Sequence, residues 1–249
     1  MRLKDKTAHF SVDDATWVFL GPRDENYDSV FEQPILAFFR DLHENYGITV
    51  SFYCFLTQDW FDLRSVPDKY REELENNRAW CRFGFHGIDL DTAYEEAEPE
   101  RAAADYEAVM AQLRRIAGEA LDVCPRIHNY SAGQVALLAM RDQGLRGVLC
   151  PEIGREDRYG LTARQRRAVD SHGIYVDPKT GLNYLSTDIR IEETPCLMER
   201  ITRRQAKSHL EIFTHEWALE RDHVREKIIL CCDLLKKFRY RGAFWGEER

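Results

Sequence analysis

Residues 8–14 read AHFSVDD, a short apolar run that ends in two adjacent aspartates, Asp13 and Asp14. Similar β-branched and aromatic runs alternate along the chain with longer segments of helical period, which is typical of a parallel sheet covered by helices. We predict strands over 8–12, 48–56, 81–86, 123–129, 147–150 and 210–214, and helices over 29–46, 98–121, 132–143 and 222–238. The pattern therefore indicates the α/β class, as one domain over residues 1–249.

Three further segments interrupt this alternation. Residues 173–192 contain a DPKTG turn between aromatic and β-branched runs, which predicts a β-hairpin standing as an excursion from the sheet. Residues 60–80 form a long crossover whose second half has a helical composition, and residues 196–207 are amphipathic enough for a short helix.

The composition of the chain excludes some classes of protein and binding partner. The chain has 249 residues, and 35 Lys and Arg against 43 Asp and Glu give a net charge of -8, which argues against a nucleic-acid-binding protein. No apolar stretch approaches the ~20 residues of a membrane span, and residues 1–10 lack an apolar signal core, so we expect a cytoplasmic protein. The seven cysteines include no C-x-x-C pair, which favours reduced thiols over a disulfide framework.

The predicted strand ends are rich in groups that bind metals or transfer protons. Asp13 and Asp14 come at the end of the first predicted strand, and His86 comes at the end of the third. His128 lies at the end of the fourth predicted strand, and His215 follows the last one. Ligands bind at the carboxyl ends of parallel strands, so these side chains are candidates for one site. An aspartate alone often caps a turn, and a lone histidine is often structural. With four strand ends together, we expect one aspartate to bind a cation and the other to act as a base.

These residues resemble motifs of the polysaccharide deacetylase (NodB-homology) family. The family's first motif, Thr-Phe-Asp-Asp, is similar to residues 11–14, and its final motif, an apolar strand ending in histidine, is similar to residues 210–215. The resemblance implies a distorted (β/α) barrel in which Asp13 is the catalytic base and Asp14 binds the metal. It also implies that His215 protonates the leaving amine and that Arg126 orients Asp13.

The two middle motifs depart from the family. The second motif keeps His86, but Leu90 stands where the family has a second histidine ligand. The third motif, residues 126–130, has lost the prolines and gained His128, which we expect to be the third ligand, with Asp89 or Asp91 as the alternative. Candidate substrate-binding residues are Asn129, Tyr130 and Trp217.

The resemblance therefore implies a metal-dependent hydrolase that removes an N-acyl group, acetyl first, from a sugar or sugar precursor. Zinc is the first expectation for a site that contains imidazole. The partner would be a small-molecule or glycan substrate, and the expected setting is surface-polysaccharide biosynthesis. The alternatives are a hydrolase of another non-peptide C–N bond, a catalytically inactive carbohydrate-binding barrel, and a glycosidase that uses paired carboxylates. The sequence predicts no particular oligomeric state.

Overall fold

The computed structural model describes residues 6–25, 27–156 and 158–245. Within them the strands are β1 (Lys6–Asp13), β2 (Val50–Phe55), β3 (Thr57–Gln58), β4 (Phe61–Asp62), β5 (Cys81–Gly87), β6 (Leu121–Asp122), β7 (Gly147–Glu152), β8 (Ile174–Val176), β9 (Asn183–Thr187), β10 (Ile189–Arg190), β11 (His209–His215) and β12 (Tyr240–Gly242). The α-helices are α1 (Leu20–Asp24), α2 (Pro34–Tyr46), α3 (Arg71–Asn76), α4 (Pro99–Ala117), α5 (Gln134–Asp142), α6 (Ala163–His172), α7 (Leu197–Arg204) and α8 (Asp222–Lys237). The predicted alternation of strands and helices is confirmed.

The central sheet is parallel and has the order β10-β11-β1-β2-β5-β6, with β12 also beside β1. Strand β1 is buried on both faces, as expected for a strand covered by helices. Its last residue, Asp13, lies directly opposite His215 at the end of β11. The parallel register therefore brings the polar ends of β1, β5 and β11 to one edge of the sheet.

A second sheet, in the order β7-β9-β8, completes the barrel wall. The backbone N–H groups of Arg146 and Leu149 donate to the carbonyls of Val123 and Pro125, at 2.8 and 2.9 Å, and so join β7 to the segment after β6. On the other side, β9 leads into β10, which pairs with β11. The predicted α/β barrel is confirmed, and its distortion lies at these two irregular joints.

The predicted hairpin within 173–192 is present as the antiparallel pair β8 and β9. Strand β9 also pairs in parallel with β7, and its last four residues are buried. The expectation of an excursion is corrected: the hairpin belongs to the barrel wall, because Tyr184 and Leu185 have their side chains in the protein interior.

The strand predicted over 123–129 is wrong: the strand in this region, β6, covers only the two residues before it. Strand β6 ends at Asp122, whose side chain accepts the N–H of Cys124 at 2.8 Å and turns the backbone out of the sheet. Pro125 has no N–H for a strand ladder. Residues His128–Tyr130 instead form a 3₁₀ turn in which Asn129 and Tyr130 both have a φ of 54°.

Helix α6 was not predicted from the sequence. It is polar, with only Val169 buried, so it lacks the apolar period that reveals most helices. Its start does carry a sequence signal, a capping box in which the Thr162 hydroxyl accepts the N–H of Gln165. The predicted helices over 29–46 and 98–121 are confirmed with shorter bounds, since α2 begins at Pro34 and α4 ends at Ala117, before Gly118 with a φ of 60°.

The hydrophobic core surrounds the central sheet. Phe52 of β2 lies against Phe39 of α2 and Phe83 of β5, with ring centroids 5.5 and 5.6 Å apart. None of the seven cysteines forms a disulfide in the described residues, in agreement with the expectation of reduced thiols. The helices of the described ranges include none that is both long enough and apolar enough to cross a membrane.

Candidate active site

Asp14, His86 and His128 come together at the carboxyl edge of the sheet. Asp14 follows β1 with a φ of 57°, His86 is near the end of β5, and His128 begins the 3₁₀ turn. One ligand atom from each residue lies within 4.8 Å of the others, and Asp14 Oδ1 is 3.2 Å from His86 Nε2. These are the three residues predicted as metal ligands.

The protonation of His86 shows why this cluster suits a cation. His86 Nδ1 lies 2.6 Å from the carbonyl oxygen of Arg126, an acceptor, so Nδ1 carries the proton. In the neutral ring the Nε2 lone pair then faces Asp14 Oδ1, which is buried without a hydrogen-bond partner among the described residues. Two lone pairs that face each other repel unless a cation lies between them. The Nδ1–H bond to a carbonyl is also the usual support of a metal-bound histidine.

The pKa values within the cluster fit the same arrangement. Burial raises the pKa of Asp14, but the charged form of His86, whose Nε2 is 3.2 Å from Oδ1, outweighs burial and lowers that pKa to about 2. Burial, together with the charge of His86, lowers the pKa of His128 to about 4. Burial lowers the pKa of His86, but Asp14 and Asp13 outweigh it, so this pKa is raised while no cation is present. An anionic carboxylate and a neutral imidazole are the forms that bind metals.

The alternative third ligands do not join the cluster. Asp89 accepts the backbone N–H groups of Asp91 and Thr92, at 3.0 and 2.7 Å, and so closes a local turn. Leu90, at the position of the family's second histidine, is 38% exposed. In the part of the chain that the structure describes, only His128 completes the set with Asp14 and His86.

Asp13 is held by Arg126. Arg126 Nη1 donates to Asp13 Oδ1 at 2.7 Å and to Ser11 Oγ at 2.9 Å, and the guanidinium lies 4.0 Å from the centre of the Phe213 ring. Both charged groups are buried. Burial lowers the pKa of Arg126, but Asp13 and other neighbours outweigh it and raise that pKa, so Arg126 stays charged beside Asp13.

A buried glutamate behind Arg126 was missed by the sequence reasoning. Glu211 Oε1 accepts from Ser11 Oγ at 2.8 Å and lies 3.5 Å from Arg126 Nη2, while its Oε2 lies 2.8 Å from His9 Nδ1. The signal was available, because a glutamate in an apolar strand at an even spacing from His215 must lie on the same face. Glu211 therefore helps to hold Arg126, directly and through the Ser11 hydroxyl that both groups contact.

His215 is held by a second glutamate that the sequence reasoning missed. His215 Nδ1 lies 2.6 Å from Glu192 Oε1, so the proton is on Nδ1 and Nε2 is directed away from Glu192. Glu192 Oε1 also accepts from Arg190 Nε at 2.8 Å, and its Oε2 accepts from Thr214 Oγ1 at 3.0 Å. Burial raises the pKa of Glu192, but the hydrogen bond and charge of His215 outweigh it, so the pKa is lowered.

Trp217 connects His215 with Asp14. Its ring stacks on His215 with centroids 5.2 Å apart, and its Nε1–H donates to Asp14 Oδ2 at 3.2 Å. The side chain is 37% exposed, so one part of it remains available to a substrate. Trp217 thus orients the carboxylate of Asp14, a role that the sequence did not predict, and sugar stacking by its exposed part remains a prediction.

Glu216, which precedes Trp217 in the sequence, holds the backbone of the segment after Asp14. Its carboxylate accepts the backbone N–H groups of Thr16, Trp17 and Val18 at 2.7, 2.6 and 2.8 Å. Burial is the largest influence on Glu216 and raises its pKa to about 8, although the three N–H bonds oppose that rise.

The turn that follows Arg126 lines a small cavity of about 40 Å³ together with Asp13, His86 and His215. The N–H of Tyr130 already donates to the carbonyl of Ile127 at 2.9 Å, so this group is occupied within the turn. Asn129 is exposed at the cavity. Of the two predicted substrate-binding residues in the turn, Asn129 is therefore the exposed one, whereas Tyr130 is buried and its N–H is bonded within the turn.

Comparisons with known proteins agree with this architecture. No family model and no curated protein matches the sequence. Among solved structures, a protein assigned as a polysaccharide deacetylase from Mycobacterium smegmatis has a TM-score of 0.57 at 11% identity, covering 98% of this chain and 88% of that one. A family 4 acetyl xylan esterase from Clostridium thermocellum, in complex with a cobalt ion, has a TM-score of 0.52 at 14% identity, with coverage of 98% and 90%.

A third similar structure is a 4-alpha-glucanotransferase from Thermococcus litoralis. Its TM-score is 0.55 at 13% identity, and the match covers 99% of this chain but only 40% of that enzyme. Fold similarity at such identities does not carry activity with it. The similarity does confirm the architecture that residues 11–14 and 210–215 implied, and the chain therefore has the fold of the polysaccharide deacetylases.

Proposed function

We propose that this protein is a metal-dependent hydrolase that removes an N-acetyl group from a sugar amide. The observation that carries the proposal is the convergence of a cation-binding cluster, Asp14, His86 and His128, with two positioned groups that transfer protons, Asp13 and His215. The fold supports the proposal, since the similar structures include a protein assigned as a polysaccharide deacetylase and a family 4 acetyl xylan esterase in complex with cobalt.

The cation would be held by Asp14 Oδ1, His86 Nε2 and a ring nitrogen of His128, and we propose zinc, because two imidazoles and a carboxylate are a common zinc ligand set. Such a cation lowers the pKa of water and polarises an amide carbonyl. Two hydrogen bonds orient these ligands: the Arg126 carbonyl accepts from His86 Nδ1, and the Trp217 Nε1–H donates to Asp14 Oδ2.

Asp13 acts as the general base and takes a proton from the attacking water. Arg126 donates to Oδ1 of Asp13 at 2.7 Å, which fixes the position of the carboxylate and leaves Oδ2 to accept that proton. The N–H of Asn129 is the chain's candidate donor to the carbonyl oxygen as negative charge develops on it.

His215 acts as the general acid and gives a proton to the departing nitrogen. The ring acts in its doubly protonated form: Glu192 holds the Nδ1–H, so the proton that leaves comes from Nε2 and the neutral ring remains. Expulsion of an amine requires such a proton, because an amide anion is a poor leaving group. Asp13 and His215 are opposite each other in the register of β1 and β11, so the base and the acid lie close to the same substrate.

The size of the catalytic cavity favours a short acyl group. About 40 Å³ is enough for a few water-sized groups, which suits an acetyl group better than a longer acyl chain. Hydrolysis of another C–N bond would use the same residues. The glycosidase alternative is disfavoured, because Asp14 is engaged with His86 and does not face Asp13 across a substrate.

The proposal is tested by acetate release from N-acetylated sugars. The protein loaded with zinc or cobalt should release acetate, a chelator should abolish the release, and added metal should restore it. Asp91→Asn is a matched control for Asp13→Asn, because Asp91 is an exposed acid outside the cluster and its amide variant should remain active.

Two results would contradict the proposal. Undiminished activity after complete metal removal would exclude the cation from the reaction. A metal-loaded protein that binds N-acetylated sugars but releases no acetate from any of them would identify a carbohydrate-binding barrel instead.

A further inference from the structure

A second, larger cavity of about 510 Å³ adjoins the catalytic cavity. The two cavities share one lining residue, Arg155. The larger cavity lies between residues 152–155, which begin at the last residue of β7, and residues 190–203, which run from β10 into α7. Its volume is in the range of sites that hold a small-molecule ligand. A sugar whose acyl group occupies the catalytic cavity would extend into this space.

Two of the four arginines in the lining are already neutralised. Arg190 donates to Glu192 at 2.8 Å and pairs with Glu193 at 2.9 Å, and Arg203 pairs with Glu199. These pairs satisfy the charges at one side of the cavity. They leave the other two arginines, Arg155 and Arg200, as the groups that a ligand would meet.

Arg155 and Arg200 have no carboxylate within ion-pair distance among the described residues. Arg155 is exposed and lies over the ring of Tyr130, 5.4 Å from its centre. Arg200 uses its Nε to bind the carbonyl of Asp188 at 3.1 Å. Burial, followed by the charge of Arg204, lowers the pKa of Arg200, and an anion beside it would offset both effects.

The same wall offers an acceptor for hydroxyl groups. Glu152 lines the cavity, and its Oε2 is buried without a hydrogen-bond partner in the described part of the chain. A buried carboxylate oxygen without a donor costs free energy, which a sugar hydroxyl would recover by donating to it. Unpaired guanidinium groups beside a hydroxyl acceptor are suited to a sugar that carries an acidic group.

We propose that the larger cavity binds a carboxylate or phosphate attached to the acylated sugar, with Arg155 and Arg200 as its partners. This inference rests on the proposed function for the identity of the sugar, and it narrows the substrate class to anionic N-acetyl sugars. Guanidinium groups bind both kinds of anion through charge-assisted hydrogen bonds.

The inference is tested by calorimetric binding to the metal-loaded protein, which needs no turnover. The probes are neutral N-acetylglucosamine, N-acetylglucosamine 1-phosphate and N-acetylmuramate, which together separate phosphate from carboxylate. We expect one or both anionic probes to bind about 10- to 100-fold more tightly than the neutral sugar at low salt, with a difference that shrinks as salt is added.

Arg155→Gln/Arg200→Gln should reduce this preference to about twofold or less. The matched control is Arg164→Gln/Arg167→Gln, which removes the same charge from exposed positions on α6 that line neither cavity and should keep the preference. Metal content and melting temperature establish that each variant is folded.

Equal binding of all three probes, or an equal loss of preference in the control variant, would overturn the inference. Acetate release from neutral sugars without any anionic preference would overturn it and leave the proposed function intact. Tight, arginine-dependent binding of an anionic probe without acetate release would support this cavity's ligand class and contradict the proposed function.

Discussion

Replacing Glu192 with glutamine tests how His215 is positioned. Glu192 Oε1 accepts from both His215 Nδ1 and Arg190 Nε, at 2.6 and 2.8 Å, and Oε2 accepts from the Thr214 hydroxyl at 3.0 Å. A glutamine can place its oxygen at the Oε1 position and keep both of those donors. Its NH₂ would then meet the Thr214 hydroxyl, which can rotate to accept. The geometry survives, and the negative charge is lost.

The expected magnitude follows from that difference. A hydrogen bond to a charged group stabilises by about 1–2 kcal/mol more than a neutral one. Glu192→Gln should therefore lower kcat by about 5- to 30-fold. A flipped amide would stabilise the wrong tautomer of His215, an effect that costs about 10⁴-fold in the serine protease triad. Arg190 prevents the flip, because in the flipped amide the NH₂ group would face the Arg190 Nε–H, and two donors without an acceptor repel each other.

A double-mutant cycle separates these two effects. Acetate release should fall much further in Glu192→Gln/Arg190→Met, toward 10³- to 10⁴-fold, because the amide is then free to flip. Arg190→Met alone should have a smaller effect than Glu192→Gln. Activity of Glu192→Gln within twofold of the parent would show that Glu192 does not position the acid. A 10⁴-fold loss in Glu192→Gln alone would refute the role given to Arg190.

Three further predictions concern the base, the fixed segment and pH. Asp13→Asn should abolish acetate release while metal content stays near that of the parent, because an amide cannot accept the proton, and residual turnover would place the base elsewhere. Its Tm should fall, because the buried Arg126 loses a charged partner at 2.7 Å. Glu216→Gln leaves one acceptor oxygen for the N–H groups of residues 16–18, so above pH 8, where the parent's Glu216 is ionised, it should destabilise by about 1–3 kcal/mol and lower Tm by about 2–12 °C, and an unchanged calorimetric Tm there would contradict this. The pKa of Glu192 is lower in the folded protein than its unfolded value near 4.5, so Glu192 stabilises the fold above that value and loses this effect as pH falls through the folded pKa. In urea unfolding, Glu192→Gln should therefore have a lower free energy of unfolding than the parent at pH 7, and the difference should shrink by pH 3. An equal difference at both pH values would argue against the ion pair.

The strand ends were predictable because a parallel sheet leaves few ways to arrange them. Asp13, Asp14 and His215 end apolar runs that can only be buried strands, and His86 ends another, so their meeting at one edge follows from topology. His128 reaches the cluster from a 3₁₀ turn instead of the predicted strand, because the backbone leaves the sheet after Asp122. His128 lies beside Asp14 and His86, its role as a ligand stays a prediction, and the element predicted to carry it was wrong.

The supporting glutamates could not be assigned from the sequence alone. Glu192 lies in a hairpin segment whose partner, β11, is about twenty residues further along the chain, and only the pairing of β10 with β11 brings it to His215. Glu211 was a visible anomaly in an apolar strand, but its partner Arg126 is 85 residues away. Such contacts depend on barrel closure, which local patterns do not encode.

Anomalous diffraction at the zinc absorption edge, from crystals of the zinc-loaded protein, tests the central claim most directly. We predict one strong anomalous peak about 2.0–2.2 Å from Asp14 Oδ1, His86 Nε2 and a ring nitrogen of His128, with an open coordination position toward Asp13 and His215. A peak bound elsewhere, or a cation at Asp14 and His86 with His128 more than about 5 Å away, would contradict the ligand set on which the proposed chemistry depends.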